Sequence, residues 1–360
     1  MKKYYLLPLL LILSAFIIQN VNGKNKKNVT DKNSQPKSEI INNSIHGESF
    51  VLSGNSPATF LFNKIIPGSV VVRNNYDAKA KGNIIYKKGE DYLIDCKNGA
   101  IKRTEKSRIP DYSKHSLFGV KNFDYTKVKN YSNQPFFIWV DYKTENNADI
   151  SKPVLYQKNI KKTVDKLNSG KPVKIIVFGD SISCGGEVTE PRFAFYERFK
   201  TSLQEKYPKS EITLENGSTG GDTTRQGLER LKEKVLTSKP DLVLVGFGMN
   251  DHNINFVAPK EFHKNLKSIV KQIKNKTGAD ILLYSTFPPN PEWNASSHNM
   301  DKYAEITKKV AKETKSAYAD VYSIWKKVLK RKDPPSLLNN NINHPNNFSH
   351  WMYSQAFIIE

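Results

Sequence analysis

A chain of 360 residues that is 38% hydrophobic and 11% aromatic is long enough for two or three domains and apolar enough to bury their cores, which excludes a disordered protein. Its 56 Lys and Arg against 35 Asp and Glu give a net charge of +21, but the lysines are scattered among asparagines and read as a solvated surface. The chain has no arginine-dense block, zinc-finger spacing or RNA-binding signature, so nucleic acid is excluded as a partner, and only two cysteines, Cys96 and Cys184, exclude a disulfide scaffold.

At the N-terminus, Lys2 and Lys3 precede an apolar stretch from Tyr4 to Ile18, and Val21-Asn22-Gly23 offers a small residue for cleavage. This pattern predicts a signal peptide over 1–23, because its apolar part is short of the roughly 20 residues a membrane span needs. The expected location is secreted or periplasmic, with no membrane span after cleavage; an uncleaved anchor is the alternative. Residues 24–45, rich in Lys, Asn and Ser, are expected to form a flexible linker.

From 46 to 150 short runs rich in Val, Ile, Phe and Tyr, such as "ATFLFN", "SVVVRN" and "QPFFIWVDYK", are separated by Gly, Asn, Asp and Pro. They predict a small β-sandwich-like domain, with a hairpin turning at Lys97-Asn98-Gly99. From 151 to 360 the pattern alternates. A helical stretch at 156–168 leads to a strand at 174–178 and a helix near 190–206. The strands "EITLEN", "DLVLVGFG", "DILLYSTF" and "AYADV" then alternate with helices at 223–237, 260–275, 299–315 and 321–331. This alternation predicts a parallel sheet covered on both faces, with ligands at the carboxyl ends of its strands.

The polar motifs fall at those ends. "FGDSIS" closes the first strand and offers Ser181 as a nucleophile, which needs a base within hydrogen-bond reach. "NGSTGGDTT" closes the second and "GFGMND" the third; the bare backbone at Gly221 and the amide of Asn250 are candidate oxyanion donors. His344, in "NINHPN" past the last predicted helix, is the candidate base. Each feature alone has an ordinary structural explanation, as a turn serine, a helix cap, a loop asparagine or a surface histidine.

Together and in this order, the four blocks resemble those of the SGNH hydrolases, also called GDSL esterases and lipases, over about residues 170–360. The resemblance implies a flavodoxin-like three-layer α/β/α hydrolase domain behind the all-β domain. It implies Ser181 as nucleophile and His344 as general base, with an oxyanion hole made by the Ser181 N–H, the Gly221 N–H and the Asn250 side chain. No cofactor and no metal are implied.

One position departs from the family pattern. The family's acid stands three residues before the histidine, and here that residue is Asn341. Three readings follow. Asn341 or a backbone carbonyl orients His344 in a Ser–His dyad, the arrangement implied by the resemblance to SGNH carbohydrate esterases with an N-terminal β module; a distant carboxylate such as Asp333 reaches in; or the site only binds. The expected partner is an ester substrate, an acetylated polysaccharide, with Trp293 offered either as a stacking platform for a sugar or, equally, as a loop anchor packed on the domain. The alternatives are a lipase or lysophospholipase-type esterase, or a catalytically impaired glycan-binding protein.

Overall fold

The structure, a computed structural model, describes residues 40–41, 43–253 and 256–360. The expected signal peptide and most of the expected linker lie outside the described residues. The linker's last residues do not: Ile40–Ile41 (β1) pairs antiparallel with Ser44–Phe50 (β2), so regular structure begins inside the 24–45 range.

Among the described residues, eight strands precede residue 150. After β1 and β2 come Ala58–Thr59 (β3), Val71–Arg73 (β4), Ile85–Tyr86 (β5), Tyr92–Asp95 (β6), Ala100–Arg103 (β7) and Ile138–Lys143 (β8). They form two antiparallel sheets, of order β1-β2-β8-β4-β5 and β3-β7-β6. The hairpin expected at Lys97-Asn98-Gly99 joins β6 to β7, with Asp95 paired to Ala100 and accepting from the Asn98 backbone N–H at 3.0 Å.

The second half is a five-stranded parallel sheet of Val173–Gly179 (β9), Ile212–Asn216 (β10), Leu242–Gly246 (β11), Asp280–Tyr284 (β12) and Ala317–Ala319 (β13). Its order, β10-β9-β11-β12-β13, is the flavodoxin-like one, with the chain reversing direction across the sheet at β9. The strands read as continuous apolar runs because both faces are covered. Ile175 and Val177 pack on one side with Phe195 and Phe199, while Ile176 and Phe178 pack on the other with Phe247 and Phe262.

The helices are Lys161–Asn168 (α1), Phe195–Lys206 (α2), Thr224–Leu231 (α3), Met249–His252 (α4), Pro259–Thr277 (α5), Met300–Glu313 (α6), Val321–Val328 (α7), Pro334–Leu337 (α8) and Asn347–Ser354 (α9). The expected helix at 223–237 ends earlier as α-helix and continues as a π turn over Lys232–Leu236. Sequence reading did not find α9, because all eight of its residues are buried and leave no polar face to set a helical period. Its start is fixed by Asn346, whose side chain accepts from the Ser349 N–H at 3.0 Å. Among the described residues no helix is long and apolar enough to cross a membrane.

The β region and the α/β region share one hydrophobic core. Phe50, Phe60, Tyr76 and Trp139 belong to the same buried cluster as Ile175, Phe195 and Trp325. The Tyr76 ring meets Phe193 edge-on at 4.8 Å. A buried ion pair spans the seam: Lys332 Nζ lies 2.8 Å from Glu48 Oε1, and both side chains are essentially inaccessible. Glu48 also accepts from the Tyr142 hydroxyl at 2.6 Å and the Leu61 N–H at 2.9 Å, so its charge is fully solvated by protein groups.

Removing one member of such a pair leaves the other charge buried and unmatched. Lys332→Met is expected to destabilise the chain by about 3–5 kcal/mol in urea unfolding, with Glu48→Gln added in the same chain recovering part of the loss. A loss below about 1 kcal/mol would show that the seam does not depend on this pair.

Candidate active site

Ser181 stands in the turn that leaves β9, where the strand's last buried residue gives way to a tight series of small residues. The turn is closed by the Gly186 N–H donating to the Ser181 carbonyl at 2.9 Å. A side chain at 186 would not fit: its Cβ would lie 2.8 Å from that carbonyl and 3.5 Å from His344 Nδ1. The glycine therefore lets the turn pass directly beneath the imidazole.

His344 comes from the other end of the chain and meets Ser181 across this turn. Its Nε2 is 2.8 Å from Ser181 Oγ, within the reach a general base needs. Its Nδ1 is 3.1 Å from Glu187 Oε1, and the second oxygen of Glu187 accepts from Asn339 Nδ2 at 2.9 Å. Serine, histidine and carboxylate thus stand in line, each in contact with the next.

Glu187 was not anticipated from sequence. It lies six residues after the nucleophile, in the left-handed region at φ 63°, and only its position after the glycine pair in "CGGE" hints at a special backbone. The residue expected to orient the imidazole, Asn341, is occupied elsewhere. It is buried with φ 58°, and its Oδ1 accepts from Asn133 Nδ2 at 3.2 Å and Asn290 Nδ2 at 3.1 Å. The alternative carboxylate, Asp333, starts α8 at the seam between the two regions. The group on Nδ1 is Glu187.

The loop bearing His344 is held by amides. Asn340 Oδ1 accepts from the backbone N–H groups of Ile342, Asn343 and His344 at 3.0, 2.9 and 2.9 Å. The loop ends are closed by the Asn339 N–H donating to the His344 carbonyl at 2.8 Å. The β region braces the loop from outside through the fully buried Asn133. Its Nδ2 donates to Leu338 O at 2.8 Å and Pro335 O at 3.1 Å, while its backbone N–H donates to Asn339 O at 2.8 Å. Asn133 is itself fixed by the Tyr112 hydroxyl, which donates to its Oδ1 at 3.0 Å.

Of the candidate oxyanion donors, the glycine block is the one placed beside Ser181. A Cβ built on Gly220 would lie 3.8 Å from Ser181 Cβ, so the glycine block runs alongside the nucleophile. Gly221 has φ 79° and open space where a side chain would be, leaving its backbone exposed to a bound group. Asn250, in α4 behind Gly248, donates one N–H to Asp222 O at 2.9 Å; the amide carries a second N–H for a ligand. The start of α3 is capped by Thr223, which makes a capping box with Gln226.

Two buried carboxylates neighbour Ser181 and Asn250 in the chain. Burial pushes Asp180 up to about 7, with the negative charge of Asp251 adding to the effect. Burial likewise pushes Asp251 up to about 6, against the pull of its bonds from Thr224. Two other histidines are held neutral by burial: His252 is lowered to about 4 and His350 to about 3. Trp293 is not a sugar platform; it is buried against Leu117, Phe123 and Ile342. Cys96 and Cys184 are free thiols. Among the described residues no group of three or more His, Cys, Asp or Glu side chains is placed to hold a metal ion.

A family model, that of the GDSL-like lipase/acylhydrolase family, matches residues 177–351, from the strand before Ser181 to the helix after His344. This part of the chain is a GDSL-like lipase/acylhydrolase domain. The chain is accordingly a carboxylic ester hydrolase. An acetylxylan esterase of Geobacillus stearothermophilus is 29% identical over an alignment 212 residues long that covers 54% of this chain and 95% of that protein. An arylesterase of Vibrio mimicus is 32% identical over 37% of this chain and 64% of its own length. Among solved structures, a two-domain esterase active on acetylated mannans shares 19% identity and a TM-score of 0.47, over 57% of this chain and 56% of that one. The GDSL-like domain follows antiparallel β sheets, as the sequence pattern led one to expect.

Glu187→Gln keeps the size of the side chain but removes the charge that faces the imidazole. It is expected to lower kcat on an aryl acetate by about 10²–10⁴-fold. Asn341→Asp is expected to give no gain, since position 341 faces Asn133 and Asn290. The reverse pattern would return the orienting role to 341. A second expectation concerns pH. With its value raised from 3.8 to about 7, Asp180 binds its proton more tightly in the folded chain than in the unfolded one. The stability this gives is complete below the unfolded value and is lost as pH rises through the folded one. Asp180→Asn should therefore gain in melting temperature relative to the native chain as pH goes from 4 to 8; a constant difference across that range would show that Asp180 is not protonated in the fold.

Proposed function

We propose that this chain is an exported serine esterase that removes O-acetyl groups from polysaccharide through an acyl-serine intermediate. The single observation that carries the catalytic reading is the in-line contact of Ser181, His344 and Glu187. In this reading Ser181 Oγ attacks the ester carbonyl carbon while His344 Nε2 takes the hydroxyl proton. The resulting imidazolium is held by the Glu187 carboxylate through Nδ1–H. The oxyanion is met by N–H groups of Ser181, Gly221 and Asn250, each worth about 2.7–4 kcal/mol in the transition state. As the tetrahedral centre collapses, the sugar oxygen leaves with the proton from His344. Water then attacks the acetyl-serine, giving its proton to His344, and acetate departs as the serine is restored.

An impaired, purely binding site would have no reason to keep a base 2.8 Å from the serine with a carboxylate behind it. Acetyl-polysaccharide is favoured over lipid because the cavities beside Glu187 are lined mainly by Asn, Gln, Ser and Thr, groups suited to sugar hydroxyls. The acetylxylan esterase likeness points the same way. Export is argued from the charged and apolar pattern of the first 23 residues.

The test is acetate release from O-acetylated polysaccharide by the native chain and by Ser181→Ala. Release by the native chain and at least a 10³-fold loss in Ser181→Ala is the expected result. Hydrolysis confined to long-chain acyl lipids would replace the substrate assignment, and equal activity in both chains would remove the serine mechanism.

A further inference from the structure

We infer that the cleft along the seam beside Glu187 binds an uncharged glycan chain, with the β region forming one of its walls. This rests on the acetyl-esterase reading above and specifies which polymer that site takes.

Two cavities, of ≈ 370 and ≈ 380 Å³, flank the carboxylate that faces His344. Both are bordered by Gln134, Glu187, Thr189 and Asn339, so they meet at a common lip. Gln134 belongs to the β region and is exposed at that lip. One cavity extends over Tyr131 and the other over Trp139, also from the β region. Each volume lies in the range of small-molecule sites, and Glu187, which faces His344 Nδ1, stands on their shared lip. A polymer threaded through both would pass Glu187, which is joined to Ser181 through His344.

The charge pattern selects the polymer. The chain carries 56 Lys and Arg, yet neither cavity is lined by one. The carboxylates present are Glu187 and Glu190, and both are engaged, Glu187 by His344 and Asn339 and Glu190 by Arg192 at 2.8 Å. An anionic glycan would meet two carboxylates, and the cation beside them, Arg192, is already paired with Glu190 and Asp77. Amides and hydroxyls, by contrast, offer both donors and acceptors to a chain of neutral sugars.

The experiment compares native chain, Gln134→Ala and Gln134→Trp on two substrates: 4-nitrophenyl acetate, which needs only the catalytic centre, and a partly O-acetylated neutral hexasaccharide. A variant at this exposed position leaves the core intact. Gln134→Ala should raise KM for the hexasaccharide about three- to tenfold, the scale of a lost hydrogen bond. Gln134→Trp should raise it more by filling the lip, and neither should change kcat/KM on the aryl acetate. Binding of the same hexasaccharide to Ser181→Ala and to Ser181→Ala/Gln134→Trp, by calorimetry, separates the cleft from turnover. Tight binding to the first and weak binding to the second supports the cleft even if deacetylation is absent, which would overturn the esterase reading alone. Deacetylation by the native chain with no difference among the variants, or preferential binding of an acetylated uronic-acid polymer, overturns the cleft and leaves the esterase reading standing.

Discussion

The site depends on how residues 338–345 are held, because His344 approaches Ser181 from a loop and not from a strand or helix. A loop can place a side chain to within a few tenths of an ångström only if its backbone polar groups are all spoken for. Here the work is divided between an internal and an external amide. Asn340 gathers three consecutive N–H groups, and Asn133 receives the loop from outside, taking the carbonyls of Pro335 and Leu338 and giving its own N–H to Asn339. Asn133 is buried and comes from the β region, so that region is part of the catalytic framework and not an appendage.

The same network accounts for the displaced acid. At position 341 the backbone is left-handed, a conformation asparagine tolerates better than most residues. The side chain there is buried and accepts two amide N–H bonds, which a neutral carbonyl satisfies without the cost of a buried charge. The carboxylate instead stands on the nucleophile's own turn, at Glu187, where it is partly open to solvent and its charge is cheaper to keep. Glu187 is anchored by Asn339, a member of the histidine loop, so the two halves of the site fix one another.

The seam between the β and α/β regions combines this polar bracing with a shared apolar core and the buried Glu48–Lys332 pair. The combination gives a rigid junction, and the cleft beside Glu187 lies along it. Gln134, on the lip of that cleft, stands next to Asn133, which braces the histidine loop.

The sequence by itself determined the parallel sheet and the β region before it, and it singled out Ser181, Gly221, Asn250 and His344 as candidates, because each rests on local pattern: apolar runs of strand length, glycines and polar residues at strand ends, and motif order. It missed α9, whose burial on all sides erases the helical period, and it left Trp293 open between a sugar platform and a packed loop anchor, which the hydrophobic cluster around it decides for the anchor. The partner of His344 Nδ1 was decided only by the tertiary structure. Glu187 and His344 are 157 residues apart, and nothing local distinguishes this glutamate from the other acids of the chain. What singles it out is the glycine turn that carries it under the imidazole, and the buried Asn133 that brings the imidazole there.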